Sequence, residues 1–439
     1  MPGLDNRPLV DTTAIDSVII GEKFKEYETF SSSLTGKWPR FRGSDFDNIL
    51  KSQDKLIEKF DTSGPDILWT VELGEGHAAP VIFNGRVYLL DYDERKKNDA
   101  LRCFSLETGK ELWRRWYAVN VKRNHGMSRT VPAITDGFIV TMGPKCHVMC
   151  CDPVSGDLKW GIDLVREYKT EVPLWYTGQC PLIDKDIVVL APGGTDLLIG
   201  VELKSGKVVW KTPNPGGMKM SHSSIMPMTF AGKKMYVYAA IGGVCGISAE
   251  GSDRGKILWR QNKFNPSVMA PSPLVLPDGK IFLTAGYGAG AAMLQLVKSG
   301  ETFDAKVLQI YKPSEGLASE QQTPLFYKGF IFGILPKDAG PARNQLACFS
   351  PSDCKKILWT SSKTDRYGLG PYIIADGKLF ILSDDGTLNI AKASTSSFVF
   401  LDKAQILDGQ DAWGPMAIAD GKLLLRDDKT LVCIDILKK

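Results

Sequence analysis

The sequence predicts an all-β fold, a closed propeller of eight four-stranded antiparallel blades. Three features support this prediction: a repeat with the period of a propeller blade, a hairpin signal inside each repeat, and a tryptophan near the end of most repeats. The repeat is marked by prolines that each open a short apolar run, at intervals of 44 to 52 residues: Pro80, Pro132, Pro181, Pro227, Pro273, Pro324, Pro371 and Pro415.

Each proline is followed by the signature of a β-hairpin. In seven of the eight units a glycine stands five or six residues after the proline, between two apolar runs. Glycine permits the positive φ that tight hairpin turns require. The third unit has Asp184-Lys185-Asp186 at this place. The seven glycines are Gly85, Gly137, Gly232, Gly279, Gly329, Gly377 and Gly421.

The second half of each unit also repeats. A Ser/Thr-Gly turn precedes a strand that ends in tryptophan, as in Leu106-Glu-Thr-Gly-Lys-Glu-Leu-Trp113. One large aromatic per repeat suits packing between neighbouring blades, where it buries on the order of 150–250 Å². The fifth and seventh units carry Gln309 and Leu407 at about this place. The other tryptophans of the series are Trp160, Trp210, Trp259 and Trp359.

The two ends of the chain predict how the ring closes. The last unit supplies only three strands, from Pro415 to Ile436, while Ile67-Leu68-Trp69 near the start reads as a fourth strand without partners. Pairing them completes blade eight and removes exposed sheet edges. We therefore expect residues 37–439 to form one eight-bladed domain, preceded by a flexible N-terminal segment, residues 1–36.

Composition excludes some classes of function. The 439 residues are 43% hydrophobic and 24% charged, with a net charge of +4 that is not concentrated in basic runs, so we expect no nucleic-acid partner. No stretch has the roughly 18–20 apolar residues of a membrane span. The chain is either cytosolic, or periplasmic or membrane-anchored facing the periplasm with its signal or anchor absent. The polar, unpatterned residues 1–36 favour the second location, as a tether.

The repeats resemble those of a known family. Leu106 to Trp113, the hairpins that follow the prolines, and Trp38-Pro39-Arg40-Phe41-Arg42-Gly43 are similar to the tryptophan-docking repeats of the PQQ-like (quinoprotein-like) β-propellers. The resemblance covers Lys37 to the C-terminus. It implies an eight-bladed propeller, but the family includes both quinoprotein alcohol dehydrogenases and the cofactor-free assembly lipoprotein BamB. A shared fold does not choose between these functions.

The cysteines are interpreted mainly as packing residues. The resemblance to dehydrogenases suggests a disulfide between Cys150 and Cys151 beside a cofactor. The repeat suggests instead that Cys150 occupies a slot for a small residue on a packed strand, where cysteine behaves as a small hydrophobe. Cys348 and Cys354 flank one turn and can bridge in an exported protein. No CxxC motif occurs, and no metal site is expected. The same slot holds Cys103, Cys348, Cys433 and Gly200.

The loops before the prolines provide the candidate binding residues, because these loops converge on the central funnel of a propeller. They contain aromatic side chains suited to stacking and two arginines suited to an anion. The alternative is that these side chains only fill the funnel or the loops. The candidates are His77, Arg129, Trp175, Tyr176, Gln179, His222, Gln322, Arg366, Tyr367 and Trp413, with His125 in one of the same loops.

The leading functional hypothesis is a non-catalytic binding or assembly scaffold of the bacterial cell envelope, with protein partners and no cofactor. One alternative is a quinoprotein oxidoreductase that uses PQQ and calcium. It requires a carboxylate and amide oxygens on calcium and a carboxylate base, but Glu75, Glu171, Glu320 and Asp411 match no dehydrogenase motif. No catalytic residue is therefore assigned. A third hypothesis is a propeller that binds a small anionic or sugar ligand. Gly286–Gly290 is expected to be a blade loop, because no helix follows it.

Overall fold

Short antiparallel strands joined by tight turns make up nearly all of the computed structural model, which describes residues 18–124 and 126–438. Eight blades of four strands each follow one another along the chain, as the repeats predict. Four strands precede the first complete blade: β1 (Lys23–Glu26), β2 (Lys37–Trp38), β3 (Ile49–Leu50) and β4 (Asp66–Glu72). Of these, β1, β2 and β3 add strands to the sheets of blades 1 and 7.

The first four blades are given from the innermost strand outwards. Blade 1 contains β5 (Val81–Phe83), β6 (Arg86–Asp93), β7 (Asn98–Ser105) and β8 (Glu111–Ala118). Blade 2 contains β9 (Ala133–Thr135), β10 (Phe138–Met142), β11 (His147–Cys151) and β12 (Leu158–Asp163), followed by the short helix α1 (Leu164–Tyr168). Blade 3 contains β13 (Leu182–Asp184), β14 (Ile187–Leu190), β15 (Asp196–Glu202) and β16 (Val208–Pro213). Blade 4 contains β17 (Met226–Phe230), β18 (Lys233–Ala240), β19 (Gly243–Ser248) and β20 (Ile257–Gln261).

The remaining blades follow the same order. Blade 5 contains β21 (Leu274–Val275), β22 (Lys280–Ala285), β23 (Gly290–Ser299) and β24 (Thr302–Tyr311). Blade 6 contains β25 (Leu325–Tyr327), β26 (Phe330–Ile334), β27 (Leu346–Ser350) and β28 (Asp353–Thr360). Blade 7 contains β29 (Tyr372–Ala375), β30 (Lys378–Leu382), β31 (Thr387–Lys392) and β32 (Phe400–Gln405). Blade 8 contains β33 (Ala417–Ala419), β34 (Lys422–Arg426) and β35 (Thr430–Asp435). Three 3₁₀ turns lie at Pro277–Gly279, Pro313–Glu315 and Gly340–Ala342.

The ring closes as the sequence predicts. The early strand β4 pairs with β35 as the outermost strand of blade 8, and Trp69 lies opposite Cys433. The N- and C-terminal parts of the propeller are thus held in one sheet.

The hairpin turns also have the predicted geometry. In the turn between β5 and β6, Asn84 and Gly85 both have positive φ, 50° and 73°. Two consecutive positive φ values are typical of the two-residue turn that matches the twist of paired strands. Lys185, in the one unit without the glycine, takes the same left-handed conformation with φ 58°.

The tryptophans dock between blades in a regular way. Each lies on an outermost strand, opposite the small-residue slot, as in the pairs Cys103–Trp113 and Gly200–Trp210. The indole Nε1 of Trp160 donates to the carbonyl of Leu203 in the next blade at 2.7 Å.

The interpretation of Leu407 as the equivalent position in blade 7 was wrong. The strand register places Asp402 there, because the lengths of the turns vary between blades.

The hydrophobic core is divided among the interfaces between neighbouring blades. Cys150 packs between blades 2 and 3, and Cys151 packs between blades 1 and 2. Their side chains lie on opposite faces of β11 because alternate residues of a strand point to opposite sides. All nine cysteines are buried and unbridged, including Cys348 and Cys354.

Strands β1 and β2 extend the sheet of blade 1 at its two edges. Strand β1 pairs with β8 and covers the outer edge of blade 1, and β2 pairs with β5. The segment predicted to be a flexible tether, residues 1–36, includes residues 1–17, which lie outside the described residues. No helix in the described part of the chain has the length and apolar character needed to cross a membrane.

Candidate functional site in the central funnel

The central funnel contains a cavity of about 410 Å³ to which all eight blades contribute. The contributing side chains come mostly from the loops before the repeat prolines, so the repeat itself brings them to the propeller axis. In blade order, one residue from each blade is His77, Arg129, Trp175, His222, Val268, Gln322, Leu369 and Trp413.

The floor of the cavity is formed by the segment between β2 and β3, here called the plug (residues 39–48). Phe41 of the plug lines the cavity. The neighbouring Arg42 is buried, and its guanidinium donates to the carbonyls of Thr323 and Pro324 in blade 6 at 2.9 and 3.0 Å. At the other side of the ring, the amide of Ile134 in blade 2 donates to Pro39 at 2.9 Å. The plug therefore spans the axis and closes the funnel from below.

Two aromatic pairs form opposite parts of the wall. Trp175 stacks on Tyr287 with ring centroids 5.8 Å apart and an interplanar angle of 16°. Trp413 stacks on His77 with centroids 3.5 Å apart and an angle of 17°. Large aromatic surfaces in a concave site favour planar ligands and the apolar faces of sugar rings.

Arg129 supplies positive charge beside these rings. Its guanidinium donates to the carbonyls of Trp175 at 2.7 Å and Asn124 at 3.0 Å, and its Cζ lies 5.8 Å from the centre of the Trp413 ring. Burial lowers the pKa of Arg129 to about 10, so it remains a cation at neutral pH. The guanidinium of Arg129 therefore places a positive charge beside the aromatic rings, and hydrogen bonds between a cation and a carboxylate are stronger than those to neutral groups.

His222 adds a neutral ring to the wall. Burial, together with the charge of Arg129, lowers the pKa of His222 to about 4. The imidazole is therefore uncharged at neutral pH. It lies 6.0 Å from Trp175, centroid to centroid, and extends the aromatic surface.

The second cation of the cavity is already compensated. Lys337 lies 3.2 Å from the Glu320 carboxylate, and its ammonium is 5.6 Å from the centre of the Tyr287 ring. Asp411 also lines the cavity. The cavity is therefore lined by two cations, Arg129 and Lys337, and two carboxylates, Glu320 and Asp411.

Six of the ten predicted site residues line the cavity: His77, Arg129, Trp175, His222, Gln322 and Trp413. Gln322 donates from Nε2 to the carbonyls of Leu369 and Trp413 at 3.2 and 2.9 Å, which joins three blades at the rim.

The other four predicted residues do not line this cavity. The hydroxyl of Tyr176 donates to the carbonyl of Lys122 at 2.7 Å. Gln179 is fully buried and bonds the backbone of Ala191. Arg366 donates to loop carbonyls, including that of Pro341 at 3.1 Å, and Tyr367 packs in the core between blades 6 and 7. His125 lies outside the described residues.

Two wall residues were missed by the sequence reasoning. Tyr287 and Lys337 come from the loops between the second and third strands of blades 5 and 6. In a four-stranded antiparallel blade these loops lie on the same side as the loops before the prolines. The alternation of strand direction could have indicated them, whereas Gly286–Gly290 was interpreted only as a blade loop.

Three of the four carboxylates considered for a calcium site are paired with cations, among them Glu320 with Lys337 at 3.2 Å. Calcium takes six to eight oxygen ligands, usually including carboxylates. No group of three or more His, Cys, Asp or Glu side chains in the described part of the chain is arranged to hold a metal. Glu75 and Glu171 are paired with Arg123 and Lys219, each at 2.7 Å.

The amino-acid sequence matches one protein-family model. The family model described as outer membrane protein assembly factor BamB matches residues 47–175 and 97–301. No curated protein sequence matches the chain.

Solved structures share the fold at low identity. BamB from Moraxella catarrhalis is 11% identical, with 85% of this chain and 100% of that chain covered and a TM-score of 0.55. The computationally designed Ika8 protein is 12% identical over the same shares, also with a TM-score of 0.55. A europium-containing methanol dehydrogenase is 11% identical, with 91% and 89% covered and a TM-score of 0.57. At these identities the likeness shows the fold alone.

Proposed function

This chain belongs to the PQQ-like propeller family, and we propose that it is a non-catalytic binding scaffold of the bacterial cell envelope that captures a planar or ring-shaped anionic group in its central funnel. The envelope location and a protein partner are part of this proposal. They are supported by the family match, whose description names an outer-membrane assembly factor.

The observation that carries the proposal is the position of Arg129 in the closed funnel. Its charge lies between two stacked aromatic pairs, above a floor fixed by the plug. A planar group with a carboxylate satisfies both features of this wall, since the ring contacts the indoles and the anion contacts the guanidinium.

A free small ligand is the second candidate, and the cavity volume favours it. About 410 Å³ is within the range of small-molecule sites, so an anionic or sugar ligand fits without a protein partner. The scaffold and the free-ligand functions share the same contacts. They differ in whether the anionic group is carried by a protein.

The quinoprotein alternative requires different chemical groups in the same cavity. It needs calcium and a carboxylate base, whereas Glu320 is paired with Lys337 and Cys150 and Cys151 are buried in different interfaces. We derive no redox step from these residues. The absence of a cofactor remains a prediction.

The proposal is tested by titrating the purified chain with naphthalene-2-carboxylate and following tryptophan fluorescence. We expect saturable quenching, and binding at least about tenfold weaker in Arg129→Met, because a charged hydrogen bond contributes about 1.5–3 kcal/mol. Trp175→Leu tests the ring contact separately. Arg166→Met, at an exposed arginine of α1, is the matched control.

Capture from envelope extracts distinguishes an anionic group carried by a protein from a free small ligand. The scaffold requires a stoichiometric protein partner that is retained by wild type, lost with Arg129→Met, and displaced by naphthalene-2-carboxylate. Binding of the small probe without such a partner supports the free-ligand function. Equal probe binding by wild type and Arg129→Met would exclude both.

A further inference from the structure

A second cavity, also of about 410 Å³, lies between the plug and blades 3 and 4, at the turn from β13 to β14. Arg40 and Phe46 of the plug form one side of this groove, and Met228 and Met235 form the other. It is separate from the central funnel, with which it shares no lining residue.

The plug contains two arginines, Arg40 and Arg42. Within the described residues, Arg40 makes one hydrogen bond through its guanidinium and leaves its other donors unused. Its Nη1 donates to the carbonyl of Ile183 at 3.2 Å, and its buried Nε has no partner. Arg42, two residues later, donates from all three guanidinium nitrogens to carbonyls. The contrast shows that this fold can satisfy a buried arginine completely, and that it does not do so for Arg40.

The charge of Arg40 is also left without a close counter-ion. Asp184 accepts from the Tyr236 hydroxyl at 2.7 Å, and Asp45 is paired with Lys51 at 2.6 Å. Neither carboxylate forms an ion pair with Arg40 in the described part of the chain. Burial lowers the pKa of Arg40, and this loss of water outweighs the opposite effect of the nearby Asp184 and Asp45 carboxylates.

Positive charge at the rim adds to this field. Lys185 and Lys234 both line the groove and are exposed. Lys234 has a surface partner, Glu250, at 3.5 Å, and an exposed pair of this kind contributes little. With Arg40, Lys185 and Lys234 against one lining carboxylate, Asp184, the groove carries net positive charge, and the buried Nε of Arg40 lies inside it.

The rest of the lining selects the kind of anion. Leu182, Pro227, Met228, Met235 and Ala249 give the groove an aliphatic wall. Its two aromatic side chains already have partners, because Phe46 lies under the Arg40 guanidinium and Tyr236 stacks on Trp210. Methionine side chains adapt to flexible apolar groups. We propose that this groove is a second binding site, which takes an alkyl carboxylate with its carboxylate on Arg40 and its chain along the two methionines.

The site is tested by titrating methyl-labelled full-length protein with sodium octanoate and following the methionine methyl signals by NMR. We expect saturable shifts of the Met228 and Met235 methyls, with a dissociation constant in the millimolar range for so small a ligand. In Arg40→Met the binding weakens at least about tenfold, as expected for a lost charged hydrogen bond. Octanol, which lacks the charge, and inorganic phosphate, which lacks the chain, produce no saturation.

A second variant tests the site without changing the plug, in case Arg40→Met disturbs the folding of that segment. Thr229 is an exposed residue of the groove, so Thr229→Trp fills it while leaving Arg40 unchanged, and we expect it to abolish the methionine shifts. Arg166→Met, at an exposed arginine outside both cavities, leaves the octanoate-induced shifts of Met228 and Met235 unchanged. Absence of saturable shifts in wild type, or shifts that persist in Thr229→Trp, would overturn the proposal. Neither result bears on the funnel.

Discussion

At the scale of single residues, the slot opposite each tryptophan sets the position of the indole. A Cβ added to Gly200 would lie 2.1 Å from Nε1 of Trp210, and one added to Gly246 would lie 2.1 Å from Nε1 of Trp259. In blades 1 and 2 the slot holds Cys103 and Cys150 instead. Where the slot holds glycine, Nε1 of the indole therefore lies directly against it, whereas Nε1 of Trp160, opposite Cys150, donates to the carbonyl of Leu203.

Gly200→Ala is therefore expected to destabilise the propeller more than Cys150→Ala. The added methyl group displaces the Trp210 ring from a packed interface, at a cost of about 1–3 kcal/mol. Removing the Cys150 sulfur leaves a small cavity, at a cost of about 1 kcal/mol. Urea unfolding measures both, and equal losses would contradict this account of the slot.

A buried carboxyl makes the stability depend on pH. Asp99 is buried and accepts from the Tyr117 hydroxyl at 2.8 Å, and burial raises its pKa to about 7. The unfolded value is near 3.9, so the folded protein binds the proton more tightly. The free energy of unfolding therefore falls as the pH rises from about 4 to about 7.

Asp99→Asn removes this dependence. Relative to wild type, the variant gains about 2–4 kcal/mol in free energy of unfolding between pH 4 and pH 7, since one pKa unit corresponds to 1.36 kcal/mol. Denaturant titrations across this range measure the difference. Asp136→Asn, at an exposed turn, is the control, and a parallel pH dependence for all three proteins would refute the assignment.

At the scale of structural elements, local chemistry predicted the blades but not the plug. The turns between first and second strands are fixed by neighbouring residues with positive φ, such as Asn84 and Gly85, so the sequence identifies them. Arg42 instead depends on carbonyls of Thr323 and Pro324, far away in the chain. Neither periodicity nor a local motif records such contacts, and the role of Phe41 as a floor was therefore not predicted.

Arg42→Met tests the role of the plug. The buried carbonyls of Thr323 and Pro324 lose their donors, and each unsatisfied group costs about 1–3 kcal/mol. We expect a lower free energy of unfolding by urea and weaker binding of naphthalene-2-carboxylate, because Phe41 loses its support. Lys51→Met, at an exposed lysine just beyond the plug, should change neither, and an unaltered Arg42→Met protein would show that the plug is dispensable.

At the scale of the whole molecule, the repeat predicts the shape and most of the funnel. The pairing of β4 with β35 could be predicted because the last repeat supplies only three strands and one extra strand precedes the first repeat. Six candidate residues reach the cavity because every loop before a proline points towards the axis. Of the four that do not, Gln179 and Tyr367 face inwards to the blades, whereas Tyr176 and Arg366 bond carbonyls of neighbouring loops. Position in the loop does not distinguish these cases.

The central claim is that the funnel binds a planar anion through Arg129 and the tryptophans, without a calcium-held redox cofactor. The most direct measurement is a calorimetric titration with PQQ, used as a planar polycarboxylate, with and without calcium, on wild type and Arg129→Met. The account predicts saturable binding that calcium does not change and that weakens at least about tenfold in the variant. Binding that requires calcium, or no binding at all, would contradict it.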